Sequence, residues 1–432
     1  MCQSDPTASP VAAKSTIIRS HSWLDALGPG ILVAATGVGA GDLAGGALAG
    51  ARLKLTVLWV CLIGAALKFV LCEGLARWQL STGSSVADGV FKSTPPVVRF
   101  TFLVYVAAWS FCIGGMLMSA CGECAQAVFP IGGASNGRII HGILHSLAAI
   151  LLVRIGGFRL FERMMAICIG VMFFTVVLAA TLSNPDWTAV LRGLVTPVVP
   201  HADGNGVPWT LTLMAGIGGT LTMLCYGSWI REKSRADISA LRACRIDLAA
   251  GYLMTAAFGV CMVILGSRLP VDQGLKGANL ITQISQDMQL QLGEFGRVAG
   301  WLFRIGAWGA VFSSLLGVWQ SVPALICDML PKPAVPSISG IGQRVDRRHY
   351  NTIQLLLGIV PAICLPFSLA NVQKVAGVTG SLFLPMFALS LLLLGWTTAG
   401  KQHGFRNGLL STSVLTLSLL LFGYLAAQRF LS

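Results

Sequence analysis

Charge is scarce in this chain. Charged side chains make up 11% of its 432 residues, against about a quarter in globular domains. A soluble domain so poor in charge would have no polar surface to show water. Acids are scarcer than bases, with 17 Asp and Glu against 30 Lys and Arg. The resulting net charge of +13 does not point to nucleic acid, because the bases sit in loops between apolar runs and not on one face. No P-loop, nucleotide fingerprint, His-Glu-x-x-His or serine or cysteine triad signature is present. That removes the grounds for an enzyme, and no catalytic residue is assigned. No short apolar core with a small-residue cleavage site precedes the first apolar run, so no removable signal peptide is expected.

What the chain does have is apolar length. Apolar residues make up 55% of it and mean hydropathy is +0.75. Runs of about 20 apolar residues read as membrane-crossing helices. The expected fold is an all-α integral membrane protein with eleven spans, at 28–51, 56–80, 99–129, 137–156, 160–183, 208–230, 242–267, 296–326, 350–368, 373–396 and 405–430. The 50 glycines suit close helix packing. With the N-terminus in the cytoplasm, inside segments hold about twice as many bases as outside segments, which orients the chain N-terminus in and C-terminus out. A plasma (inner) membrane location is expected.

The eleven spans divide as five, five and one. Because five is odd, a duplicated five-helix unit enters the membrane the second time inverted, as in many secondary transporters. The expected organisation is a cytoplasmic tail 1–27, a first repeat 28–183, a linker 184–207, a second inverted repeat 208–396, and an eleventh helix and C-terminus 397–432. The linker is marked by Asn184-Pro185, Pro197, Pro200 and Gly204.

The first span of each repeat is broken by glycine. Span one carries Thr36-Gly37-Val38-Gly39-Ala40-Gly41, then Asp42; span six carries Gly216-Ile217-Gly218-Gly219-Thr220. Glycine-interrupted spans at matching places in two halves mark a transporter's binding site. The freed backbone groups are tolerated at membrane depth only where they line a cavity or meet a ligand. Asp42 is the only acid of span one. Two readings stand: a site carboxylate, or a cap on the outer half-helix. Met223 and Cys225 follow the second break. A thioether beside a thiol suits a soft transition metal; the alternative is ordinary packing.

Other polar groups fall within spans. Lys68 and Glu73 lie five apart on span two, so they point in different directions and each needs a partner on another helix. Glu73 and Arg77 are spaced to pair. Buried lysine or glutamate can carry a coupling proton, or form a static ion pair. Glu123 on span three, beyond Trp109, is expected near the outer end and solvated. His141 and His145 are read as interfacial histidines rather than ligands. Arg304 needs a partner or a water path. Cys121 and Cys124 form a lone C-x-x-C, weak evidence for zinc or redox work; most of the twelve cysteines read as small hydrophobes.

These residues also resemble a family. GPGILVAATG and GDLAGGA, between 28 and 47, resemble the opening of Nramp-family proton-coupled divalent-metal transporters. LWV at 58–60 and LARWQLSTGSSVADG at 75–89 resemble that family's second span. GIGGTLTM at 216–223 and SLFLPMFAL at 381–389 resemble its spans six and ten. The resemblance runs in order over nearly the whole chain. It implies the inverted-repeat fold shared with the leucine transporter, with discontinuous helices one and six.

The chain departs from the family at its functional motifs. The family's Asp-Pro-Gly-Asn in span one is missing, and Asp42 aligns with a later acid. Its Met-Pro-His reads Met223-Leu224-Cys225. Its span-three acids fall near Gly114 and Leu117, and its span-ten glutamine position reads glycine. The chain is therefore a divergent branch.

Together these readings describe a secondary transporter working by alternating access. Spans one and six rock against spans three, four, eight and nine. The expected cargo is a small cation, a divalent metal ion with protons as coupling partner, and no other cofactor or nucleic acid. The expected substrate site is Ala35, Thr36, Gly37, Gly39, Asp42, Gly218, Gly219, Thr220, Met223 and Cys225, with Asp42, Met223 and Cys225 as metal donors. Lys68 and Glu73 are the proton-coupling candidates. A divalent ion with no acid ligand is poorly compensated, so Asp42 contributes, the ion stays hydrated, or the cargo is not a metal. The alternative cargo is an amino acid or other small organic solute, whose carboxylate docks on half-helix N-termini.

Overall fold

Glycines and prolines decide where the helices of this chain stop. The computed structural model describes residues 28–200, 206–233, 235, 237–270, 278–291, 293–330, 347–402 and 405–431. The expected tail 1–27 and residues 201–205 of the expected linker lie outside them. Every regular element among the described residues is a helix.

Span one is two helices, α1 (Pro29–Gly37) and α2 (Ala40–Leu53), parted by Val38 and Gly39. Pro29 opens α1, where a missing N–H costs nothing. A 3-10 turn, Lys54–Val57, leads into α3 (Trp59–Thr82). Gly83, at φ +69°, ends that helix, as glycine commonly does. Then come α4 (Val86–Lys92), capped by Ser85, and α5 (Pro96–Val128), opened by its own proline. α6 (Ala134–Leu182) follows as one unbroken helix. The interruption expected between 156 and 160 is thus not a break. Two glycines with no proline and no cap weaken a helix without ending it. The two apolar stretches within it, Ala134–Gly156 and Leu160–Leu182, are each long enough to cross a membrane.

After α7 (Trp187–Val195), span six is again two pieces. α8 (Gly206–Gly216) stops at the glycine cluster, and a 3-10 turn (Leu221–Cys225) runs into α9 (Tyr226–Glu232). Gly218 and Gly219 stand at φ +73° and +79°. That left-handed conformation costs a residue with a Cβ about 1–2 kcal/mol, so this break depends on its glycines.

The rest of the chain is α10 (Leu241–Ser267), α11 (Ala278–Gln291), α12 (Gly296–Met329), α13 (Arg347–Ile359), α14 (Leu369–Ser381), α15 (Phe383–Leu394), α16 (Thr398–Gln402) and α17 (Leu409–Leu431). Two expected continuous spans are corrected here. Span nine ends as an α-helix at Ile359 and tightens to a 3-10 turn, Val360–Cys364. Span ten divides at Leu382. Proline explains both, because Pro361 and Pro385 have no N–H for the carbonyl four residues back.

Among the described residues, six helical stretches are long and apolar enough to cross a membrane: Trp59–Thr82, Pro96–Val128, Ala134–Gly156, Leu160–Leu182, Ile238–Ser267 and Gly296–Met329. Large apolar side chains stand exposed on their outer faces, among them Val97 on α5, Ile155 and Phe174 on α6, and Trp301 on α12. In water such a surface would aggregate; against lipid it is the expected face. The chain is an integral, multi-pass, helical membrane protein.

Two packed groups position the breaks. α2 lies along α10 with glycines on both sides: a Cβ on Gly50 would run into the Val263 carbonyl, and one on Gly266 into the Ala47 carbonyl. Small residues let the two backbones touch. α5, α6 and α12 form the second group, tied where Trp319 Nε1 donates to Ser146 Oγ at 3.1 Å. α12 then meets span one, since Gly317 faces the Thr36 side chain and Gly39 faces Ser314.

Candidate functional site

The two breaks touch each other. A Cβ built on Gly37 would lie 2.5 Å from the Gly218 carbonyl carbon and 2.7 Å from the Gly219 nitrogen. The unwound backbones therefore cross in direct contact, which only glycine permits at position 37. Across the break in span one, Gly39 N–H turns back to the Gly37 carbonyl at 2.8 Å, and the Gly39 carbonyl accepts from Leu43 N–H at 3.0 Å.

Asp42 bridges the two breaks. Its Oδ2 accepts from Gly218 N–H at 3.2 Å, and its Oδ1 is buried with no hydrogen-bond partner. The carboxylate thus serves the other broken helix and does not cap its own. An unpartnered carboxylate oxygen in a buried place carries a free-energy cost until a donor or cation meets it.

Lys68 closes the site from α3. It is fully buried. Its Nζ donates to the Ile217 carbonyl and, at 2.6 Å, to the Gly219 carbonyl. Its positive charge acts on Asp42. The partner that Lys68 needs on another helix is thus the unwound backbone of span six.

The remaining expected residues fall around this crossing. Thr36, buried, donates to the Leu32 carbonyl at 2.7 Å within α1. Ala35 belongs to α1. Thr220 faces Gly380 of α14, and its carbonyl accepts from Met223 N–H at 3.0 Å. Met223 and Cys225 are buried in the 3-10 turn, with the Cys225 thiol hydrogen-bonded to Ser321 of α12. Among the described residues no three His, Cys, Asp or Glu side chains gather as a metal cluster. A cation held at the crossing would therefore rely on one carboxylate, carbonyls, sulfur and its own water.

Glu73 stands apart. Its Oε1 accepts from Arg245 of α10 at 2.7 Å and its Oε2 forms an ion pair with Arg77 at 3.2 Å, so it is held in an ion-paired group. Glu123 corrects an expectation. It is buried, not solvated, and meets Arg138 at 3.3 Å. His141 and His145 are bound into structure: His141 Nε2 meets the Phe129 carbonyl at 2.8 Å, and Trp308 Nε1 donates to His145 Nε2 at 2.7 Å. Arg304 finds Ser285 Oγ at 2.9 Å. Cys121 and Cys124 are separate, buried, free thiols.

Sequence reasoning missed three groups. Tyr252 of α10 has its ring against Gly218, and its hydroxyl lies 3.0 Å from Cys72 Sγ. Asp247 of α10 accepts from Gly30 N–H at 2.8 Å, capping α1 from a neighbouring helix, and is met by Arg235 at 3.2 Å. Ser314 sets the space at Gly39. Asp247 was findable, being the one acid of span seven, by the same rule that singled out Asp42.

A helical membrane protein in which two unwound helices cross, joined by a carboxylate and a buried lysine, belongs to the class of membrane proteins with discontinuous helices. Within that class the match is specific. Residues 30–430 fit the model of the natural resistance-associated macrophage protein-like (Nramp) family, and the chain belongs to it. A divalent metal cation transporter MntH of Bacillus subtilis is 26% identical over 314 residues, 67% of each chain. One of Chromohalobacter salexigens is 29% identical over 225 residues, which is 51% of this chain and 48% of the relative. The matched region thus spans between about half and two thirds of these two relatives. Solved structures of an Eremococcus coleocola manganese transporter superpose with a TM-score of 0.75 at 17% identity, over 96% of this chain and 88% of that one. MhsT in complex with L-phenylalanine follows at 0.58 and 17% identity, over 93% and 97%. At these identities the likeness is one of fold.

Proposed function

We propose that this chain is a secondary transporter that moves a divalent metal ion across a membrane by alternating access. The observation that carries the reading is the contact of the two unwound segments at Gly37 and Gly218, with the buried carboxylate of Asp42 across it. A carboxylate oxygen with no donor is a place for a cation. Family membership and the names of the relatives agree with a metal as cargo.

In this reading the chain has eleven crossings arranged as a five-plus-five inverted repeat, with the N-terminus inside and the C-terminus outside a plasma (inner) membrane. Asp42 supplies the charge, the carbonyls of 35–39 and 217–220 supply neutral oxygens, and Met223 and Cys225 favour softer ions. The ion keeps part of its water, since one carboxylate compensates only half its charge. Proton coupling belongs to the same reading, with Lys68 and Glu73 as its titratable groups.

Uptake into proteoliposomes tests it. Manganese, cobalt, magnesium and a panel of amino acids are offered with and without a pH gradient. Saturable metal uptake, lost in Asp42→Asn, supports the reading. Uptake of an amino acid with no metal response overturns it in favour of an organic cargo. Unsaturable metal flux overturns it in favour of a channel.

A further inference from the structure

The proline-marked segment after α6 holds a short helix with three different sides. α7 is started by Asp186, whose side chain accepts from Thr188 and Ala189 N–H at 2.9 and 3.1 Å. Val190 and Gly193 form a buried side. Gly193 lies so close to the Leu55 carbonyl that no Cβ fits between them. Trp187, Leu191 and Val195 form an apolar side, 50%, 63% and 79% exposed. They stand four residues apart, so they line up along the helix. Thr188 and Arg192, each one residue further on, are exposed as well and make a polar side next to that stripe.

The position of α7 says what meets the stripe. Three membrane-length helices end beside it. α6 stops at Leu182, just before α7 begins. Arg268, closing α10, donates to the Ser183 carbonyl at 2.8 Å, so α10 and α6 stop together. Trp59, the first residue of α3, donates from Nε1 to the Val198 carbonyl at 3.1 Å, just past α7. The exposed apolar faces of these helices run up to the same place, with Phe174 and Leu182 on α6 and Leu62 and Ile63 on α3. Arg52, at the end of α2, lies over the Trp209 ring at 4.6 Å. Indole rings and arginines gathered where spans end are the composition of a membrane interface.

We propose that α7 lies in the membrane–water interface, with Trp187, Leu191 and Val195 among the acyl chains of phospholipid and Thr188 and Arg192 toward the headgroups. An apolar side of this kind reaches about 5–10 Å into the boundary of headgroup and chain. The buried side rests on the 3-10 turn Lys54–Val57 that follows α2. Lipid thus holds the end of the helix that carries Asp42 at a fixed depth. The inference is independent of the cargo.

The test is tryptophan quenching in the full chain reconstituted into phosphatidylcholine vesicles. Lipid brominated near the headgroup end of its acyl chains quenches from the bilayer, and iodide quenches from water. The emission lost in Trp187→Phe is the signal of Trp187 alone. Brominated lipid should quench that signal by about half or more, and iodide hardly at all. Val195→Trp, made in the Trp187→Phe chain, should behave in the same way. Arg192→Trp in that chain, on the polar side, should respond less to bromine and more to iodide. If Trp187→Phe is not recovered folded, Val195→Trp and Arg192→Trp in the wild type give the same contrast. Quenching at 187 and 195 by iodide and not by bromine puts the stripe in water and overturns the proposal. Quenching by neither means that protein covers the stripe, a second copy or another partner, and overturns it too. Equal bromine response at 195 and 192 also overturns it, because a helix lying in the interface has one wet side.

Discussion

The two breaks look alike in sequence and are built differently. The first is two residues, Val38 and Gly39, with no residue in the left-handed region. It carries an acid three residues on, and its shape is set by neighbours, Ser314 against Gly39 and Gly218 against Gly37. The second runs from Ile217 to Thr220, has two consecutive left-handed glycines, and carries no acid of its own. Its carbonyls are held by a lysine from another helix. One break supplies charge and the other supplies oxygens, so neither is a site alone. The crossing is asymmetric although both of its breaks are glycine clusters.

The largest effect should come from parting them. Gly37→Val places carbon where the Gly218 backbone already lies. Overpacking of this kind costs about 3 kcal/mol, and backbone on backbone leaves little room to relax. The purified variant should lose its folded thermal transition or melt far below the wild type. Gly41→Ala is the control in the same span, with nothing within 4 Å of the added carbon. It should hold or gain stability, by up to about 1 kcal/mol, because alanine favours helix over glycine. Equal melting of Gly37→Val and wild type would mean that the breaks do not touch.

Next in size is Asp42→Asn, which keeps shape and removes the carboxylate charge that bridges the two breaks. A charge-assisted contact is worth about 2 kcal/mol, so manganese affinity should fall by about 30-fold. The amide can still accept from Gly218 N–H, so stability should change little. A large loss of stability with unchanged affinity would make Asp42 a brace between the helices and not a ligand.

The sequence made the breaks legible because glycine clusters and a lone acid have no other good explanation at membrane depth. The helix breaks in spans nine and ten were not anticipated, although Pro361 and Pro385 stood there to be read. In α6 the two apolar stretches fell where the sequence put spans four and five, but the helix runs on between them. Partners were the harder part. That Lys68 needed one followed from its position; that the partner is a pair of carbonyls 149 and 151 residues away follows only from how α3 packs on the second break. Glu123 was misplaced for the same reason, since depth along a span says nothing about which helix stands beside it.

A smaller effect separates the two breaks by conformation. Gly219→Ala forces a Cβ into the left-handed region and should cost about 1 kcal/mol, while Gly219→Asn should cost less, because asparagine tolerates that region better. At Gly39, with φ −117°, space and not φ decides, so asparagine should be no better than alanine there. Thermal midpoints of the four variants check the contrast. The same order at both positions would mean that steric contact alone shapes the second break as well.

The smallest effect concerns which ion the crossing prefers. Met223 is fully buried in the turn after the second break, where a packing role and a donor role look the same in a static structure. Met223→Leu keeps the volume and removes the sulfur. A thioether adds nothing for magnesium and a modest amount for cobalt. Cobalt affinity should therefore drop by about fivefold, about 1 kcal/mol, with magnesium unchanged. If both ions weaken equally, Met223 packs the turn, and Cys225 is left as the sulfur donor candidate beside the carbonyl oxygens. The charge of Asp42 would then carry most of the preference for a cation over water.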